Sequence, residues 1–154
     1  MCDTDNNKEM EHQFPTPIVP LPAPVFYYYN QCVRSNYSIL QALTGNTPKI
    51  KQACVQWVVG WLELKENQER FVNVWVNFPQ ITIEPMYTLA VTPVLTENGS
   101  PLYLRQEPNK QYYSGAFDST RASYFFSDKQ LNQVPIQLVK YAKRYESFPS
   151  YYSN

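Results

Sequence analysis

The reading of this chain turns on Lys49–Phe78, KIKQACVQWVVGWLELKENQERFVNVWVNF. Ile50, Ala53, Cys54, Trp57, Val58 and Trp61 fall at helical spacing, and Thr47-Pro48 could supply a cap and a first turn. Against that, Val55–Leu64 is rich in Val and Trp, residues that favour strands. In the run Phe71-Val72-Asn73-Val74-Trp75-Val76-Asn77-Phe78 valine recurs at every second position, a period-2 alternation that reads as a half-buried strand. The polar piece Lys65–Arg70 then reads as the connection of a hairpin. Strand composition and the adjacent alternating run agree, so the sequence predicts two antiparallel strands here.

Working outward, Val25–Tyr29 is a short apolar, aromatic run. Ser35 or Asn36 can cap a helix through about Thr44, with Ile39, Leu40 and Leu43 on one face. Gly45 stands where a helix stops, and Pro48 blocks continuation. Downstream, strands are expected at Met86–Leu95, Leu102–Gln106, Tyr112–Phe117 and Ala122–Phe126. Asn98-Gly99 marks a turn between the first two. Gln133–Tyr145 reads as an amphipathic helix with Ile136 and Val139 facing inward and Lys140, Lys143 and Arg144 at its C-terminal end. This order predicts an α+β fold. It has an antiparallel sheet of about five to seven strands, an N-terminal helix carrying a Cys, and a C-terminal helix.

With 154 residues the chain suits one domain, and 44% apolar residues support a folded core. The organisation expected is a disordered acidic, Pro-rich tail over 1–24, a single α+β domain over 25–147, and an aromatic C-terminal tail over 148–154. The first segment holds four acids against one base, a net −3, and leaves +3 for the rest. It also holds His12, the only histidine. A compact core without imidazole excludes Ser-His and Cys-His catalysis and histidine-ligated metals. Only 4 glycines are present, so a Gly-rich phosphate loop has no raw material. Residues 105–144 carry seven basic and three acidic groups, an ordinary solvated excess. Arg105, Lys110, Tyr112, Tyr113, Arg121 and Tyr124 outline a single-stranded nucleic-acid surface, which the overall charge balance makes the lesser reading. Cys2, Cys32 and Cys54 form an odd set without metal-ligand spacing. No metal and no cofactor is expected. No apolar run reaches membrane-spanning length, and the polar, acidic start is unlike a signal peptide. A cytoplasmic protein with a protein or peptide partner and no membrane association is expected; the sequence does not give its oligomeric state.

One ordered set of motifs has a chemistry behind it. Cys32, in Asn30-Gln31-Cys32-Val33-Arg34-Ser35-Asn36, precedes an apolar helix. Trp57-Val58-Val59-Gly60-Trp61 follows, then Asn73-Val74-Trp75-Val76, Ile83-Glu84-Pro85-Met86 and Tyr112-Tyr113-Ser114-Gly115-Ala116-Phe117. In order and spacing, over roughly residues 26–127, this set resembles the transglutaminase-like branch of the papain-like cysteine hydrolases. The resemblance implies a nucleophilic Cys at a helix start, where amides and dipole favour the thiolate. It also implies a His and an acid on following strands. Cys32 matches the nucleophile, but Asn73 and Glu84 stand where the His and Asp belong. An amide cannot take a proton near neutral pH. The resemblance therefore implies a degenerate triad of Cys32, Asn73 and Glu84, with Gln31 at the oxyanion position and Trp57, Trp61 and Trp75 lining a groove. The function expected is a non-catalytic binding or interaction protein on that scaffold. One alternative is an active cysteine-dependent hydrolase or acyltransferase using Cys32 with a base other than His, such as Glu84 acting through a water. The other is an unrelated interaction or single-stranded nucleic-acid-binding domain. Taken singly, Cys32 also reads as a buried hydrophobe, Asn73 as a polar face, Glu84 as a strand end and the tryptophans as core.

Overall fold

The stretch from Gln52 to Asn77 is a pair of helices, not a hairpin. The structure, a computed structural model, describes residues 17–153. In chain order it contains β1 (Ile18–Pro22), α1 (Ala23–Arg34), α2 (Ile39–Thr44), α3 (Gln52–Trp61), α4 (Lys65–Asn77), β2 (Gln80–Glu84), β3 (Tyr87–Leu95), β4 (Pro101–Gln106), β5 (Tyr112–Ala116), α5 (Asp128–Leu131), α6 (Ile136–Val139) and β6 (Ala142–Arg144). Single 3-10 turns lie at Ala122–Tyr124 and Ser150–Ser153. The fold is α+β, but with one four-stranded antiparallel sheet in the order β5-β4-β3-β6 and a separate parallel pair, β1-β2.

Burial explains why the helices win. In α3, Cys54, Val55, Trp57, Val58 and Trp61 are buried while Gln52 and Gln56 are exposed. In α4, Asn67, Phe71 and Val74 recur at helical spacing and point inward. The apparent alternation is split by the same geometry, since Val74 is buried and Val76 is 61% exposed. Lys65–Arg70, expected as a hairpin connection, is the first half of α4, and its Lys, Glu, Gln and Arg residues are good helix formers. This segment also terminates α3. Asn67 Nδ2 donates to the Trp61 carbonyl and Gln68 Nε2 to the Leu62 carbonyl, each at 2.8 Å, satisfying carbonyls that a helix end leaves free.

The N-terminal helical part differs from expectation in its boundaries. Val25, Tyr28, Tyr29 and Cys32 form the inner face of α1, so the apolar run is helical and Cys32 lies in the helix's last turn. The next helix begins at Ile39, where Ser38 and Gln41 form a reciprocal capping box. Asn36 instead turns the chain at φ 57. Gly45 closes α2 in the left-handed region, φ 72.

The sheet follows the expected strands more closely. β3, β4 and β5 pair in sequence, and Gly99 adopts φ 77 in the connecting turn. Ala122–Phe126, expected as a strand, is a 3-10 turn followed by a single bridge from Phe126 to Tyr87. The long C-terminal helix is also replaced. Only Ile136–Val139 is helical, Ile136 is 82% exposed, and Ala142–Arg144 pairs with β3. The Tyr145 amide continues that edge by donating to the Met86 carbonyl at 2.8 Å.

Both expected tails are partly built into the fold. Within the segment assigned to the N-terminal tail, Val19 and Leu21 of β1 are buried, and Pro20 and Pro22 are accommodated in a two-stranded sheet that leaves edges free. Residues 1–16, with His12 and Cys2, lie outside the described residues. At the other end Phe148 stacks on Phe125 with centroids 5.2 Å apart, and the buried Tyr152 stacks on Tyr27 of α1 at 5.0 Å. The main core lies among the helices and extends through Trp57, Phe125, Phe148 and Tyr145. A smaller one, with Leu89, Leu104, Phe126 and Val134, lies under the sheet.

Candidate functional site

Cys32, Asn73 and Glu84 have separate surroundings. Cys32 is fully buried at the C-terminal end of α1. Burial pushes its thiol up to about 11, and a hydrogen bond with Tyr28 only partly opposes this. The helix dipole at that end also disfavours a thiolate. Asn73 lies on α4, where its Oδ1 accepts from Asn77 Nδ2. It lines a shallow groove on the outer face of that helix with Val72 and Val76. Glu84 ends β2, and its Oε2 accepts from Arg70 Nη1 at 2.8 Å. Gln31 gives its carbonyl to the Ser35 amide at the end of α1. Of the three tryptophans, Trp57 is core, Trp75 packs on Phe71 and Tyr29, and Trp61 alone lines a cleft. The motif segments Trp57–Trp61 and Asn73–Val76 are helical, where the resemblance requires strands.

The other cysteine among the described residues is no more accessible. Cys54 is buried on α3, its Sγ lies 3.5 Å from the Pro24 carbonyl, and burial pushes its thiol up to about 12. Among the described residues, no group of three or more His, Cys, Asp or Glu side chains is placed to hold a metal ion.

The cavity in which polar side chains converge is a cleft of about 770 Å³. One wall is α3 and α4, presenting Gln56, Val59, Glu66 and Arg70; Glu84 and Met86 continue it. The opposite wall is the tip of the β4–β5 hairpin, with Glu107 and Lys110, and the segment carrying Asp118, Thr120 and Arg121. Gly60 and Ala122 bring the two walls into contact, with room for a Cβ on Gly60 at an ordinary 3.7 Å from that of Ala122.

Ion pairs organise this lining. Arg70 holds Glu84 and also donates to the Pro20 carbonyl at 3.2 Å, tying α4 to both strands of the parallel pair. Its guanidinium stands 5.4 Å from the centre of the Trp61 ring. Burial raises the Glu84 pKa, and Arg70 opposes the shift. Lys110 Nζ meets Glu66 Oε1 at 2.9 Å and holds that carboxyl below its ordinary value. Glu107 takes Arg105 at 3.0 Å and Arg121 at 3.6 Å. Asp118 accepts from the Thr120 amide and hydroxyl, which lower its pKa. The basic residues suggested for nucleic acid are thus largely turned onto acids, and Tyr124 is buried.

The sequence pattern did not single out Arg70, and it left Glu66 within the polar hairpin connection Lys65–Arg70. The available signal was the helix-forming run Lys65–Arg70, which on a helix puts Glu66 and Arg70 four residues apart on one face. Among the described residues no helix is long and apolar enough to cross a membrane. Compared with protein-family models, curated proteins and solved structures, the chain shows no match.

Proposed function

We propose that this chain is a non-catalytic protein that binds a peptide, or an extended segment of a protein partner, in the cleft between α3–α4 and the β4–β5 hairpin tip. One observation carries the reading: the cleft is pocket-sized, and most of its charged groups are already paired across or along its walls. Its volume of about 770 Å³ falls in the usual range for ligand sites. Four cations, Arg70, Lys110, Arg121 and Lys129, face five acids, Glu63, Glu66, Glu84, Glu107 and Asp118. A phosphate or nucleic acid needs uncompensated cations, and an apolar ligand needs an apolar wall. A peptide backbone offers neutral amide donors and acceptors, which suit a lining of amides, hydroxyls and balanced charge.

The non-catalytic part rests on the same chemistry. Both thiols in the described residues are buried and held protonated near neutral pH, and an inert buried thiol is a structural one. Glu84 is engaged by Arg70, which leaves it poorly placed to act as a base on Cys32. The reading does not depend on transglutaminase-like ancestry.

The test is a titration of the isotope-labelled full chain with a mixed pool of short peptides, followed by amide chemical shifts. Movement of Gln56, Val59 and Arg121 amides is the expected result. An unresponsive cleft removes the binding claim, and Cys32-dependent turnover of an amide or ester removes the non-catalytic one.

A further inference from the structure

We propose that the tip of the β4–β5 hairpin is a clasp on this cleft, held shut by the single ion pair between Lys110 and Glu66; its role in ligand entry rests on the cleft being the binding site. The hairpin is anchored unequally. On its own wall, β4 packs on β3 and on the Ala122–Tyr124 turn, and in the tip turn Glu107 is held by both Arg105 and Arg121. At its tip, the bond to α4 is Lys110 to Glu66, at 2.9 Å.

That pair stands at the mouth of the cleft. Both residues line it, and their side chains are 57% and 53% exposed. An ion pair so open to water is weak and sensitive to salt. The tip itself is preformed. The Lys110 amide donates to the Glu107 carbonyl at 2.9 Å, and the Glu107 amide to the Gln111 carbonyl at 3.0 Å. Lys110 adopts φ 67, a left-handed position that glycine fills most easily. The chain places a lysine there, and its ammonium reaches the opposite wall. A preformed tip, held to its own wall through Glu107 and to the opposite wall by one weak bond, parts from α4 when that bond breaks.

The experiment measures the gap directly, without ligand. Spin labels at Asn109→Cys and Glu69→Cys, in a full-length Cys2→Ser background, report the distance between tip and α4. The native chain at low salt is expected to give one short-distance population. Raising salt to about 1 M, where the screening length is about 3 Å, adds a longer one. Lys110→Gln or Glu66→Gln does the same at low salt, raising the open fraction roughly two- to fivefold. The charge-exchanged double variant, Glu66→Lys with Lys110→Glu, returns the short population. The same narrow distribution in every variant and at both salt levels overturns the clasp. Because no peptide is present, that result leaves the binding reading intact. An opening clasp on a cleft that takes no peptide removes the binding reading instead.

Discussion

Replacing Arg70 by Met should destabilise the fold far more than replacing its partner Glu84 by Gln. The Arg70 and Glu84 side chains are 26% and 15% exposed and meet at 2.8 Å. Cutting one partner from a buried pair costs about 3–5 kcal/mol, and from an exposed pair about 0–1 kcal/mol. Intermediate exposure places Arg70→Met at about 2 kcal/mol, including the lost bond to the Pro20 carbonyl. Glu84→Gln keeps an acceptor for Arg70 and removes a desolvated charge, so its cost is about 1 kcal/mol or less. In urea, with a slope of about 2 kcal/mol/M, the first change shifts the midpoint by about 1 M and the second by less than half that. The pH dependence has a definite sign. Burial raises the Glu84 pKa above 4.5, and Arg70 holds it down. A carboxyl raised in the folded state contributes stability that is fully present below its unfolded pKa and is lost as pH rises through the folded one. Removing Arg70 raises the folded pKa further, so the deficit of Arg70→Met is largest at neutral pH and shrinks on acidification through the ordinary carboxylate range. Equal midpoints for the two variants, or a deficit independent of pH, would refute the assignment of Arg70 as the clamp on a desolvated carboxylate.

Other expectations test the packing and the inert thiols. Phe71→Ala removes a fully buried ring that packs on Tyr28, Tyr29 and Trp75, and calorimetry should register a loss of about 3–5 kcal/mol. Gly45→Ala should cost more than Gly99→Ala in chemical denaturation. Both sit at positive φ, but a Cβ on Gly45 would approach Val59 Cγ2 to 2.7 Å while one on Gly99 meets open space. A thiol reagent at neutral pH should leave Cys32 and Cys54 unmodified in the folded chain and label both after unfolding, with peptide mapping as the check; fast labelling of Cys32 in the native state contradicts the burial argument. Asn73→His should create neither turnover nor thiol reactivity, and its imidazole should titrate near the ordinary value of about 6.5 in proton NMR, because it stands on the outer groove of α4. A strongly shifted imidazole with an activated Cys32 would restore the catalytic interpretation.

What the sequence made legible was local. The Asn98-Gly99 turn separated β3 from β4, and Gly45 marked the end of α2 through its own backbone conformation. The failures lie where tertiary burial decides. Helix α3 did show helical spacing, but the Val- and Trp-rich composition of Val55–Leu64 outweighed it, and a short apolar run does not by itself separate helix from strand. Val72, Val74 and Val76 then supplied an alternation that is incidental, one member inward and one outward. The charged run Lys65–Arg70 held the better information, since it favours helix and its Asn67 and Gln68 finish the helix before it. At the other end, Ala142–Arg144 leaves the helical pattern because β3 offers an edge to pair with. No local propensity announces a partner that lies more than fifty residues away.

The candidate site was less legible for a related reason. A catalytic set inferred from order along the chain assumes that each motif lies on the right element. Here two of the motifs are helices rather than strands, Asn73 lies on an outer groove of α4, and Glu84 at the end of β2 is engaged by Arg70. Cys32 was read at a helix start, where the dipole supports a thiolate, and lies at a helix end, where the same dipole opposes one. The residues that do converge are joined by pairs 14 and 44 positions apart, Arg70 with Glu84 and Lys110 with Glu66. Such pairs have no sequence signature, because any acid and any base can serve. Their arrangement nevertheless constrains function more tightly than a motif does. A carboxylate engaged by an arginine is a weak base, and a pocket whose charges compensate one another favours a partner of mixed polarity over a polyanion. Recognition by shape and neutral hydrogen bonds is the chemistry such a cleft can perform without an activated group.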